Sequence, residues 1–360
     1  MIYIAFAAFL FMLSLSTLGP NRLRRQAYFP VLLAMFVFAA FRYKVGCDWS
    51  GYYYQYVAAE YVARDLIAQL NEPLWWIIVE WIKAGDLGYP ALNIISSALF
   101  FAGVHVLARR QPDPLGFLVL LFPILVVNMP MSGIRQGAAI GLICIAFAAF
   151  MDRRPIRFAA LVLLAGGLHT SALVFMVLVP LATGTYSKGR LLVAAGLAIP
   201  GLLFLAGGYS TGLVIARYIG TGVDAFGAIF RVGVILVSGV YFFVFLNKKW
   251  SEKYPQDHSL VNMGAIAIIF AIFLLPLSSV VADRFAYYLI PIQAMIFARV
   301  PFFAFKSSKW LHVILPYVAL MTMFVGWMLA SPLFEQCYLP YDTWLFGTPK
   351  GSILKEELFL

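Results

Sequence analysis

The sequence predicts an all-α protein that crosses a membrane many times. Three observations carry that reading. The 360 residues are 63% hydrophobic and 12% charged, whereas a soluble domain carries about 25% charged residues. One core cannot hide that much apolar surface from water, so lipid must solvate much of it. Apolar runs long enough to span a bilayer recur along the whole chain. The Lys and Arg residues, which give a formal charge of +10, fall in short clusters between these runs and form no continuous stripe. That spacing follows the positive-inside rule and argues against a nucleic-acid partner.

The expected segments are 2–19, 26–41, 89–108, 115–128, 134–151, 156–184, 190–207, 228–246, 259–276, 284–300 and 311–330. The first lacks a basic region ahead of it and a small-residue cleavage site before the Asn21–Arg25 cluster, so it reads as a retained span. Cys47, Cys144 and Cys337 have no metal-ligand spacing. With no strong repeat and no Gly/Ser linker, the reading is one membrane domain over 1–360.

Orientation follows from the basic clusters: Arg22, Arg24 and Arg25; Arg109 and Arg110; Arg153, Arg154 and Arg157; Lys188 and Arg190; Lys248, Lys249 and Lys253; and Arg299, Lys306 and Lys309. If all face the cytoplasm, both chain ends lie outside. A continuous span over 156–184 would place Lys188 and Arg190 outside. The stretch Gly166-Gly167-Leu168-His169-Thr170 offers a break. Two half-segments meeting near His169 return the chain to the cytoplasm and keep the pattern. This makes 11–12 membrane segments in all, counting the re-entrant pair. The outer face then receives 42–88, loops near 129–133, 208–227 and 277–283, and the tail from Ser331. Within 42–88, Val57–Ala63 and the Trp-rich Leu74–Ile82 read as amphipathic helices at headgroup level.

Ionisable groups near a span are costly and tend to be functional. The groups that fall at the outer face are Arg42 and Asp48 in a Tyr-rich stretch with Gly46 between them, Arg135-Gln136, His169, Arg231, and Asp283-Arg284 followed by Tyr287-Tyr288. Singly, each has an ordinary reading: an interfacial anchor, a headgroup contact, a packed histidine, a local ion pair at a helix start. Their common placement suits a diphosphate leaving group displaced by an activated hydroxyl. Arginine matches phosphate with a planar fork of donors, and a carboxylate or imidazole takes the hydroxyl proton. Asp48 is the first candidate base and His169 the second. Arg135 and Arg284 are the first candidates for the diphosphate, with Arg42 and Arg231 behind them. The expectation behind this ranking is that carboxylates are too few to pair the arginines. Cys47 and Cys337 both fall outside, where a disulfide needs α-carbons within roughly 7 Å. No nucleotide motif and no carboxylate cluster points to a cofactor or metal.

The pieces Arg42-x-x-Val45-Gly46-x-Asp48-x-x-x-Tyr52, Arg135-Gln136, His169-x-Ser171-Ala172, Asp283-Arg284 with its tyrosines, and Pro340-Tyr341 occur in family order. On them the chain resembles the EpsG family, Wzy-like membrane proteins of polysaccharide assembly. The resemblance implies a glycosyltransferase, an O-antigen or exopolysaccharide type of polymerase. Such an enzyme joins oligosaccharide repeat units carried on undecaprenyl diphosphate at the outer face of the bacterial cytoplasmic membrane. It further implies Tyr52, Gln136, Asp283, Tyr288 and Tyr341 as supporting residues, no cofactor, and a chain-length regulator and other assembly proteins as partners. It also implies a distant relation to the membrane glycosyltransferases of the GT-C fold, whose outer-loop acid corresponds by position to Asp48. The alternatives are a ligase or single-sugar transferase with the same donor, a flippase, and a structural scaffold. A flippase should show inverted repeats and charge at mid-membrane, and neither is evident in the sequence.

Overall fold

The computed structural model describes residues 1–19, 22–59, 72–184, 187–205, 227–305 and 308–347. Glu60–Ala63 of the first expected amphipathic helix, the loop up to residue 226, Lys306 and the tail beyond 347 lie outside the described residues. The described residues are helical nearly throughout. In order it forms α1 (Ile2–Ser16), α2 (Arg22–Ala40), α3 (Trp49–Val57), α4 (Pro73–Ala84), α5 (Tyr89–Ala108), α6 (Pro114–Val126), α7 (Ile134–Met151) and α8 (Pro155–Leu168). A 3-10 segment (Thr170–Leu181) follows, then α9 (Lys188–Leu205), α10 (Ala228–Lys253), α11 (Pro255–Leu274), α12 (Ser279–Ala298), α13 (Lys309–Ala330) and α14 (Pro332–Tyr338). Among the described residues, seven helices are long and apolar enough to cross a membrane: α2, α5, α7, α10, α11, α12 with its short extension, and α13. α1, α6, α8 and the 3-10 segment are shorter apolar pieces.

α7 and α12 form the centre, each with 83% of its spanning window buried. Small residues make this possible for α7. A Cβ on Gly103 of α5 would lie 1.8 Å from the Gly141 carbonyl oxygen, so the two backbones touch where no side chain fits. Lipid supplies no hydrophobic drive for helices to associate, so contact of this kind and interhelical polar bonds hold the bundle together.

The segment after α7 doubles back. Phe158 near the start of α8 stacks edge-on against Phe150. α8 ends at Leu168, and His169 is extended at φ −153°. The 3-10 segment then descends, so that Phe175 meets Phe147 and Gly184 lies against the Arg153 side chain. Both ends of the hairpin therefore sit beside the same end of α7, with His169 at the apex. This is the expected re-entrant pair.

The basic loops meet at that same end. Arg24 is clamped by Asp113, with Nε 2.7 Å from Oδ1. Arg110 makes two 2.7 Å bonds to Asp152, and Arg299 reaches Asp257 at 2.5 Å and Gln111 at 3.0 Å. Arg24 and Arg299 are buried, so these two act as loop ties.

At the opposite end the tail closes over the bundle. Cys47 and Cys337 form a disulfide with α-carbons 4.7 Å apart, while Cys144 is free and buried. Residues Arg42–Tyr43 (β1) pair antiparallel with Asp342–Thr343 (β2). α4 departs from the headgroup-level reading in part. Trp75, Val79 and Ile82 turn inward onto Tyr52, Tyr56 and Tyr89, while Trp81 and Ile77 stay exposed.

Candidate active site

At the end away from the basic loops, a cavity of about 650 Å³ opens between α3, α7, α12, the apex of the hairpin and the tail. Asp48 reaches it through a constrained turn. Gly46 has φ +106°, and a Cβ there would stand 1.9 Å from the Met131 carbonyl oxygen. Only glycine lets the 46–48 turn lie so close to the 131–132 loop. The Gly46 amide donates to the Cys337 carbonyl at 2.7 Å, so the turn is held between that loop and the tail. The Ser132 hydroxyl donates to Asp48 Oδ2 at 3.2 Å. Tyr338 forms another part of the wall. Burial pushes its hydroxyl above the ordinary phenol range and the Asp48 charge adds to this, so it remains a neutral donor at physiological pH.

Arg135 enters from the first turn of α7. Its guanidinium lies over the Tyr52 ring at 5.4 Å and meets Glu72 at 2.5 Å. Glu72 is a residue that sequence reasoning passed over. It precedes Pro73 at the start of α4 and is buried. Its other oxygen accepts from the Thr170 amide at 3.2 Å and stands 3.5 Å from His169 Nδ1. One carboxylate thus ties the arginine to the hairpin apex. His169 lines the cavity; its Nδ1 is 3.0 Å from the Ser171 hydroxyl, which in turn is 3.0 Å from the Tyr288 hydroxyl.

Arg231 and Asp283 make a two-pronged pair across α10 and α12, at 2.7 and 2.8 Å. Asp283 therefore pairs with Arg231, where the ordinary reading of the sequence offered a local pair with Arg284. Arg231 also lies over the Tyr287 ring at 5.5 Å. Arg284 lines the same wall. Gln136 donates to the Arg284 carbonyl at 2.7 Å, fixing α7 to α12.

Asp48, Tyr52, Arg135, Gln136, His169, Arg231, Asp283 and Arg284 all line this one cavity. The EpsG family profile matches residues 25–343. The chain belongs to the EpsG family. No curated protein and no solved structure matches it. The family is one of glycosyltransferase-like polysaccharide polymerases, and every piece of the family pattern read in the sequence falls inside the matched region.

Three candidates are placed elsewhere. Arg42 is buried away from the cavity, donating to the carbonyls of Ala39 and Val45 and to Asn93 Oδ1; it pins the end of α2. Tyr341 stacks on Phe38 and donates to its carbonyl at 2.9 Å, so it anchors the tail. Tyr288 sits behind His169. The expectation of arginines short of carboxylates is also corrected: Arg135 has Glu72 and Arg231 has Asp283. Counting carboxylates on the outer segments against outer arginines would have brought Glu72 into view.

Proposed function

We propose that this protein polymerises oligosaccharide repeat units carried on a polyprenyl diphosphate, with the cavity at the outer face of a bacterial cytoplasmic membrane. A hydroxyl of one unit attacks the anomeric carbon of another. The new glycosidic C–O bond forms as the bond to the diphosphate oxygen breaks. The electron pair leaves with the lipid diphosphate and the hydroxyl proton passes to Asp48. The gathering of Asp48 with Arg135, Arg231 and Arg284 around one cavity, in a chain of this family, is the observation that carries the reading.

Each arginine has five N–H donors, and a carboxylate engages two at most in a fork. Pairing with Glu72 and Asp283 therefore orients the guanidinium groups without exhausting what an arginine offers to phosphate. Donors fixed before the anion arrives stabilise the developing charge with little reorganisation. Two features support the outward orientation. The basic loops gather at the other end, and the Cys47–Cys337 bridge belongs in an oxidising compartment. Charge collected at one end favours this reading over a flippase, which needs it at mid-depth.

A second reading has a specific observation behind it. His169 Nδ1 is flanked by Ser171 and Glu72, the arrangement that orients an imidazole for base catalysis. Purified protein separates the two. Asp48→Asn should bind lipid-linked donor normally and fail to extend it, while His169→Gln retains turnover. Extension by Asp48→Asn beside a dead His169→Gln would assign the base to His169. Extension by both would remove the proposed chemistry from this cavity.

A further inference from the structure

A second hollow, of about 340 Å³ and almost wholly apolar, adjoins the polar cavity. It lies between α6, α10 and α13, and Pro123, Ile124, Phe230 and Met323 form its walls. The two hollows share Asn128, Arg231, Trp327 and Ser331 in their linings. The polar and apolar spaces thus have a wall in common, and the Arg231 guanidinium belongs to it. Phe230 is 70% exposed, so the groove's rim is open toward the surroundings of the bundle.

We propose that this groove seats the first isoprene units of the lipid diphosphate, with the diphosphate at Arg231 and the sugars in the larger cavity; the assignment rests on the function proposed above. The match is chemical. An occupant must carry an anion next to a run of apolar units, because among the described residues the groove offers no charged side chain other than Arg231 at its mouth. Bilayer lipid is as apolar as the groove, so the walls add little net affinity. Their effect is to aim the chain so that the diphosphate oxygen meets the arginines in one pose, which is the positional contribution to catalysis. The Arg231–Asp283 fork fixes the guanidinium where the two spaces meet.

Gly326 provides the test. It lines the groove, and a Cβ built there meets nothing within 4 Å, so a larger side chain fills the groove without disturbing helix packing. The probe is a polyprenyl diphosphate carrying a diazirine in its first isoprene units, added to the full-length protein in lipid nanodiscs. Labels should map to residues 322–330 and to Phe230. Unlabelled polyprenyl diphosphate should compete, and phosphatidylglycerol should not. Gly326→Leu should cut labelling about tenfold or more, because its side chain takes the space of the isoprene units, at an unchanged melting temperature. Gly326→Ala should label as wild type does.

Labels elsewhere, or equal competition by phosphatidylglycerol, would overturn the assignment. Wild-type polymerisation with labels elsewhere would sink the groove and leave the function standing. Groove labelling without any polymerisation would do the reverse.

Discussion

Glu72 holds Arg135 and the His169 apex with one carboxylate, and its loss should be felt at both. Removing one partner of a largely buried ion pair typically costs about 3–5 kcal/mol, because the other charge is stranded. Glu72→Gln should therefore lower the melting temperature and the polymerisation rate together. Adding Arg135→Met removes the stranded charge, so stability should recover while activity does not. Stability that fails to recover would mean that Glu72 acts through Thr170 instead. Arg135→Lys separates charge from geometry: an ammonium has no planar fork, and loss of one well-placed donor costs about 10²-fold in rate. Normal rates from Arg135→Lys, at normal protein levels, would take the fork out of the mechanism. Arg135 and Glu72 also mark the limit of what could be read from residues alone. Arginine, aspartate and histidine at the outer face announced themselves as costly groups. Glu72 stood just before a stretch that read as an interfacial helix, 63 positions from its partner, and no local pattern links such a pair. Arg42 erred the other way. Its motif drew attention, but backbone carbonyls of its own turn take up its donors.

Among the elements, the hairpin with His169 at its apex depends on close approach of its two arms. A Cβ on Gly166 would stand 2.4 Å from Leu173 Cδ2, and one on Gly167 would stand 2.8 Å from Leu74 Cγ. The first glycine lets the arms close and the second lets α4 press on the apex. Gly166→Val overpacks this joint, at a cost of about 1–3 kcal/mol, and should shift His169 out of the cavity. A lower melting temperature and a fall in turnover greater than that of His169→Gln would support this. A neutral Gly166→Val would show that the joint is looser than its geometry implies. The hairpin was legible because two independent signals agreed, a glycine pair in mid-run and basic clusters on both sides. The inward face of α4 was not. Its three tryptophans suit either lipid or protein, and only the tyrosines of α3 and α5 brought against it decide which face is buried.

At the scale of the whole molecule, the polar cavity and the basic loops occupy opposite ends of the bundle. Single cysteines introduced at Phe346, which is 90% exposed, and at exposed Ser251 should separate accordingly. A membrane-impermeant maleimide on intact cells should reach the first and miss the second. The reverse result would invert the orientation and move the cavity to the cytoplasmic face. The disulfide can be read directly. Cleavage at a protease site engineered between Cys47 and Cys337 should leave two fragments that migrate together until a reductant is added, and immediate separation would exclude the bridge. Together with β1–β2 and the bond from the Tyr3 hydroxyl to the Tyr338 carbonyl at 3.0 Å, that bridge ties segments 290 positions apart in the sequence. The last wall of the cavity, with Ser331 and Tyr338, is therefore also the last to leave the ribosome. A chain still being inserted carries its arginines and Asp48 in the bilayer without an enclosed site around them. On the function proposed above, the site is complete only once this wall is made, and a copy that stops short of it should turn over no substrate.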